Sequence, residues 1–283
     1  MMSDKKETVT FSDILVALDS SRHSRAALES AALIAKLLEA NLCGLFVHDA
    51  QWLRISRLPT AFEINEVTGE ITPIAQDSIK EQIQKLEKQI KDHFEQISEE
   101  FQLPHSWKSV HGGVKEKVFE AAKEADLITI GRIGRSFYKT GKLGSTARAV
   151  IQELDKPVLI LQEGFELKEK IVAVYDGTSQ SKTGVNLAAV LAKKNQDKLV
   201  IIDLTYGTPN EADAEKELDQ LLSYATLDLE ILTLKEPNIG KFLFLLNRLK
   251  GGLLVLPKTV RYTKNTNLER ILEAVHSPVL LMT

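Results

Sequence analysis

The chain of 283 residues contains one cysteine, Cys43, so no internal disulfide can form, and a reducing compartment is the expectation. Aromatic residues are scarce at 6%, and Trp52 and Trp107 are too isolated in sequence to build a base-stacking platform. No sign of charge dominates: the formal net charge is -3, which gives no reason to expect nucleic acid or an acidic membrane as a partner. Long apolar runs are missing too. The most apolar stretch, KFLFLLNRLKGGLLVL, is broken by Arg248 and Lys250, so no membrane span is expected. The opening residues, MMSDKKETVTFSD, lack the apolar centre of a signal peptide, and a cytoplasmic protein is expected. There is no G-x4-G-K-[ST] and no G-x-G-x-x-G after a first strand. His23, His48 and His111 share no metal-ligand spacing, and no paired carboxylates or Ser-His-Asp order stands out. A dedicated hydrolase is poorly supported.

What is present is a repeat. Without a gap, ILVALDSSRHSRAALESAALIAK (14–36) lies over IVAVYDGTSQSKTGVNLAAVLAK (171–193), setting Asp19 on Asp176 and Ser24 on Ser181. The ends match as well: DKPVLIL (155–161) against HSPVLLM (276–282). Matching segments in a fixed order are the signature of duplication, and each copy is long enough to be a whole domain. The join falls near QEGFELKEK, giving domains 10–164 and 168–283.

Within each copy, short apolar runs alternate with stretches of helical period. ILVAL, NLCGLFV, LITI and PVLIL read as buried parallel strands in the first copy, and KIVAVY, KLVIIDL, DLEILTL, LLVL and PVLLM as strands in the second. Alternation of this kind predicts right-handed crossovers and a parallel sheet with helices on both faces. The fold class is therefore α/β, with two tandem doubly wound domains. The first copy also carries a segment, 51–75, that reads as a lid or a dimer contact. A long helix follows, with Ile79, Ile83, Leu86, Ile90, Phe94, Ile97 and Phe101 on one face. That stripe fits a helix packed on a sheet better than a coiled-coil seam, because every crossover needs one apolar helix face.

The chemistry concentrates in GRIGRSFYKTGKLGST (131–146), directly after the strand LITI. In an open parallel sheet, ligands bind beyond the carboxyl ends of the strands where the strand order reverses. Asp19 and Gly131 both stand at that edge. Gly131 and Gly134 would let backbone come close to a ligand, and Gly144, Ser145 and Thr146 open a helix whose free N–H groups favour an anion. Arg132, Arg135, Lys139 and Lys142 are near enough in sequence to meet phosphate charge. Ribose and phosphates suit such a loop. Asp19 has a second reading, as a cap of the following helix with Ser20 or Ser21. His111 reads as a turn residue, and Cys43 as a small, buried apolar residue.

A first strand ending in Asp, a fourth followed by G-x2-G-x9-G-[ST], and a closing KPVLIL resemble the universal stress protein family, over nearly the whole chain as two tandem copies. The resemblance implies five-stranded parallel sheets of order 3-2-1-4-5 and ATP held between the first and fourth strands. Ala17, Leu18, Asp19 and Val47 would line the adenine side. Ile130 and Gly131 would lie near the ribose, and Arg132, Gly134, Gly144, Ser145 and Thr146 near the phosphates. A magnesium ion carried by those phosphates is the metal left open. The resemblance also implies pairing, since members with one such domain usually form dimers. A tandem chain could make that pair internally, through its apolar fifth strands, and a homodimer stays open.

The second copy departs from the pattern. Pro257 stands where Gly131 would be, Asn265 replaces Gly144 and Thr266 replaces Ser145, and the loop is five residues shorter. Proline removes an N–H, so this copy is expected to be structural, with Lys258, Arg261 and Lys264 left for another anion. The implied function is an ATP-binding regulatory or stress-response protein. An interaction scaffold with a vestigial nucleotide site, and a slow ATPase, are the alternatives.

Overall fold

The computed structural model describes residues 11–19, 21–49, 62–64, 71–73, 76–133, 143–161, 170–208, 211–222, 227–235, 238–249, 252–260 and 268–283. The first half runs β1 (Asp13–Leu18), α1 (Arg22–Leu38), β2 (Asn41–Asp49), β3 (Phe62–Ile64), β4 (Ile71–Pro73), α2 (Gln76–Glu100), β5 (His105–Gly112), α3 (Val114–Ala122), β6 (Leu127–Gly131), α4 (Ser145–Glu153) and β7 (Val158–Leu161). The second runs β8 (Lys170–Tyr175), α5 (Ser179–Asn195), β9 (Lys198–Asp203), α6 (Glu211–Leu222), β10 (Leu229–Thr233), α7 (Ile239–Arg248), β11 (Leu253–Pro257), α8 (Leu268–Ala274) and β12 (Val279–Met282).

One sheet of ten strands crosses the whole molecule in the order β10-β9-β8-β11-β12-β7-β6-β1-β2-β5. Leaving aside the small β3–β4 hairpin, which the sequence pattern does not announce, each half has its strands in the order 3-2-1-4-5. Pairing is parallel within each half. The join is antiparallel, between β7 and β12, with Leu159 opposite Leu280 and Val158 opposite Leu281. Leu159 and Leu280 are equivalent residues of the two copies, so a pseudo-twofold axis passes between them.

The strands are apolar on both faces because both faces are covered. Ile14, Val16 and Leu18 pack under α1 and α2, in a core continued by α5 and α6; Leu15, Ile128 and Ile130 pack under α3 and α4, in a core continued by α7 and α8. Alternating residues of one strand thus serve opposite layers. The copies share their punctuation. Ser21 caps α1 by accepting from the Ser24 N–H, and Thr178 caps α5 by accepting from the Ser181 N–H. Both helices end in a left-handed residue, Glu39 at φ 58° and Gln196 at φ 58°. In α2, Phe94 is fully buried and touches Trp107 of β5 at 5.4 Å between ring centroids, which fixes that helix as a sheet-covering element.

Candidate functional site

The strand order reverses between β1 and β6 in the first half, because β1 pairs with β2 on one side and with β6 on the other. The carboxyl ends of β1 and β6 lie side by side, with Ala17 opposite Ile130. Asp19 follows β1 directly. Its Oδ1 accepts from the Ser21 N–H at 2.9 Å, and its own N–H donates to Ser24 Oγ at 2.8 Å. This carboxylate is a capping group for the entry of α1.

Gly131 ends β6. A Cβ built there would lie 3.1 Å from the His23 Cβ and 3.3 Å from the Ser24 nitrogen, both in the first turn of α1. The missing side chain is what lets the end of β6 lie against the start of α1.

The residues expected on the adenine side divide between the two layers. Ala17, Val47 and Ile130 pack toward α3 and α4, whereas Leu18 belongs to the layer under α1. On that α1 side a cavity of about 260 Å³ opens at the end of β1, lined by Leu18, Asp19, Arg25, Gln89, Ile90 and His93 among others. The α2 residues in this wall were not recognised from sequence, because the apolar stripe of α2 accounts for Ile90 as packing. Gln89 and His93 sit on that same face one turn apart, and this pair was the available signal.

The loop returns at Leu143, which is 2% exposed and holds the chain in the lower core. Gly144 is the N-cap of α4, at φ -61° and ψ 155°, with no acidic residue in the first turn to compete with an anion. Ser145 is exposed and Thr146 half-buried, so both hydroxyls sit at a helix start. The Gly144 N–H donates to the Arg132 carbonyl at 2.9 Å, which ties the two ends of the loop together. Gly134, Arg135, Lys139 and Lys142 fall outside the described residues.

The side chain of Arg132 turns toward the second half. It is 7% exposed, and its Nη1 donates to the Val275 carbonyl at 2.9 Å. Burial lowers its pKa from the ordinary arginine value, and the Glu273 carboxylate opposes that shift. Arg132 is thus committed to an inter-half contact.

The corresponding place in the second half is filled. Tyr175 replaces Leu18, is fully buried, and its hydroxyl donates to Glu217 at 3.1 Å. Lys182, in the place of Arg25, pairs with the same Glu217 at 2.6 Å. Burial, reinforced by Glu217, pushes the Tyr175 phenol far above its usual range. Asp176 caps as Asp19 does, its Oδ1 accepting from the Thr178 N–H at 3.1 Å. Pro257 is buried and ends β11. Arg261, Lys264, Asn265 and Thr266 fall outside the described residues, while Lys258 donates through Nζ to the Leu154 carbonyl at 2.7 Å.

At the opposite side of the first half, His111 lies inside β5, not in a turn as its sequence suggests. It stacks on His48 with ring centroids 4.3 Å apart. His48 Nε2 lies 2.9 Å from Glu87 of α2 and 3.0 Å from Ser109 Oγ. No group of His, Cys, Asp and Glu able to hold a metal ion occurs among the described residues. No helix among them is long and apolar enough to cross a membrane. Cys43 is a free, partly buried thiol.

The model of the universal stress protein family matches residues 10–162, which is more than half of the chain. The chain belongs to that family. Among solved structures it is similar to a universal stress protein from Archaeoglobus fulgidus DSM 4304, with a TM-score of 0.69 and 14% identity, over 95% of this chain and 97% of that one. It is also similar to a functionally unknown protein from Pseudomonas aeruginosa PAO1, with a TM-score of 0.60 and 15% identity, over 96% of this chain and 92% of that one. At these identities the likeness is one of fold, and it extends over both halves. No curated protein matches the chain.

Proposed function

We propose that the first half binds ATP beyond the carboxyl ends of β1 and β6, and that the protein acts as a nucleotide-dependent regulatory protein in a stress response. The observation that carries this reading is the Gly131-x2-Gly134-x9-Gly144-Ser145 spacing laid on the reversal point of the sheet. There Gly144 opens α4 with no acid in its first turn. In the proposal, the α4 amides and the Ser145 and Thr146 hydroxyls receive the phosphates, a magnesium ion travelling with them. Ile130 and Gly131 lie near the ribose, and Ala17, Leu18, Asp19 and Val47 border the base. Arg132 supports the loop from behind.

The second half is proposed to be structural, forming the family's pair within one chain through β7 and β12. Its own site lacks the glycines, and Tyr175 occupies the space at the end of β8. A cytoplasmic location is part of the proposal, since a single cysteine, Cys43, fits a reducing compartment. Purification without added nucleotide, followed by mass identification of any co-eluting ligand, tests the assignment directly. ATP or ADP at close to one per chain supports it. A protein that elutes empty and stays empty when ATP is added overturns it.

A further inference from the structure

Arg132 and Lys258 are equivalent residues, each the first beyond the fourth strand of its own half. Each reaches across the axis to the other half. Arg132 donates to the carbonyl of Val275, just past the end of α8, and Lys258 donates to the carbonyl of Leu154, the C-cap of α4. Val275 and Leu154 are equivalent too, both standing three residues before the proline that precedes the fifth strand. Each half therefore supplies a cation to the C-terminal end of a helix in the other, where exposed carbonyls and the helix dipole favour positive charge.

The two contacts differ in what stands behind them. The backbone of Arg132 donates to the Leu161 carbonyl at 2.6 Å and accepts from the Gly144 N–H at 2.9 Å, so this one residue joins β6, β7 and the N-cap of α4. Lys258 repeats the first of these bonds, donating to the Met282 carbonyl at 2.8 Å.

We propose that Arg132 is a positioning residue through which the second half sets the geometry of the Gly144–Thr146 helix start, so that the second half controls nucleotide affinity at a site built on the first half. The proposal rests on the reading of that helix start as the phosphate site. It gives the second half a role that survives the loss of its own glycines. A guanidinium anchored on Val275 holds the Arg132 main chain, and the Arg132 carbonyl in turn holds the Gly144 amide.

The test uses the full chain with Arg132→Met and Lys258→Met. Both remove one cation from an equivalent inter-half contact, so the Lys258 variant controls for general loosening of the two halves. Amide hydrogen exchange at Gly144, measured without nucleotide, should speed up in Arg132→Met and stay at the wild-type rate in Lys258→Met. ATP affinity by calorimetry should fall about tenfold in the first and hold in the second. Arg132→Lys should restore part of both. Should the Met variant not fold, Arg132→Gln, which keeps a donor without the charge, takes its place with the same expected order. Unchanged exchange at Gly144 in the Arg132 variant, or equal acceleration in both variants, overturns the proposal. A wild-type chain that binds no ATP while the exchange difference stands would sink the nucleotide reading and leave the positioning role intact.

Discussion

Arg148 and Glu269 occupy equivalent positions in the two copies and meet as an ion pair, Nη1 to Oε2 at 3.2 Å. In a symmetric pair of identical domains, this position would set like against like. In the tandem chain the two partners carry opposite charges, and Gln152 adds a donor to Glu269 at 2.8 Å. Glu269→Arg should therefore destabilise the chain by about 1 kcal/mol or less, since the pair is partly exposed. Adding Arg148→Glu should recover most of that loss. Urea unfolding of the three variants measures the coupling, and a double variant no better than Glu269→Arg would show that the pairing has no energetic content.

Gly144→Val places a branched side chain at the N-cap of the helix proposed to receive the phosphates. ATP affinity should drop by at least about tenfold, which is about 1.4 kcal/mol. Calorimetry on a folded variant checks it, and unchanged affinity would remove the site from this loop.

One ATP should bind per chain. Tyr175 fills the space at the end of β8, and Pro257 stands in place of Gly131. Equilibrium dialysis that gives two equivalent ATP molecules per chain contradicts this. Tyr175→Leu should not by itself create a second site, because the glycines of the loop remain missing.

Stability should fall as pH drops through the ordinary histidine range. His48 is buried between Phe46, Ser109, His111 and Glu87 of α2, and burial lowers its pKa below 6.5, with Glu87 pulling the other way and His111 with it. A lowered histidine pKa means that the unfolded chain takes up its proton first on acidification. Its contribution to stability is thus fully present above 6.5 and is lost as pH falls toward the folded-state pKa. His48→Gln should reduce the difference in urea midpoint between about pH 7.5 and about pH 5.5. An identical pH slope in the variant and the wild type would exclude His48 as its source.

The duplication was legible because buried parallel strands impose continuous apolar runs, and VLIL and VLLM repeat theirs in register, whereas the strand order was implied only by the family resemblance. Glycine spacing drew attention to the loop because it reports backbone needs directly, though Gly134 itself lies outside the described residues. A Cβ at Gly131 would crowd the start of α1, a contact between segments more than 100 residues apart that no local pattern encodes. Arg132 was read as a phosphate ligand for its charge and its neighbours, yet its direction depends on a second half folded across the axis. Tyr175 was visible in the repeat as the partner of Leu18, but a single tyrosine among apolar strand residues does not announce that it fills a cavity. Asp19 was open between ligand and cap, roles one residue can combine, and in the described structure its carboxylate accepts from the N–H of Ser21, the N-cap of α1.

The join between β7 and β12 also has a consequence in time. The residues of β7 leave the ribosome well before their neighbours on the far side, since Val158 pairs with Leu281. At synthesis rates of about 5–20 residues per second, the intervening chain takes roughly 6 to 25 s to appear. During that interval the first half can complete its own five strands while VLIL stays an open, uniformly apolar edge on the nascent chain. The nascent chain thus carries an apolar edge that waits for β12, and neighbouring nascent copies on one message are the competitors that the wait invites.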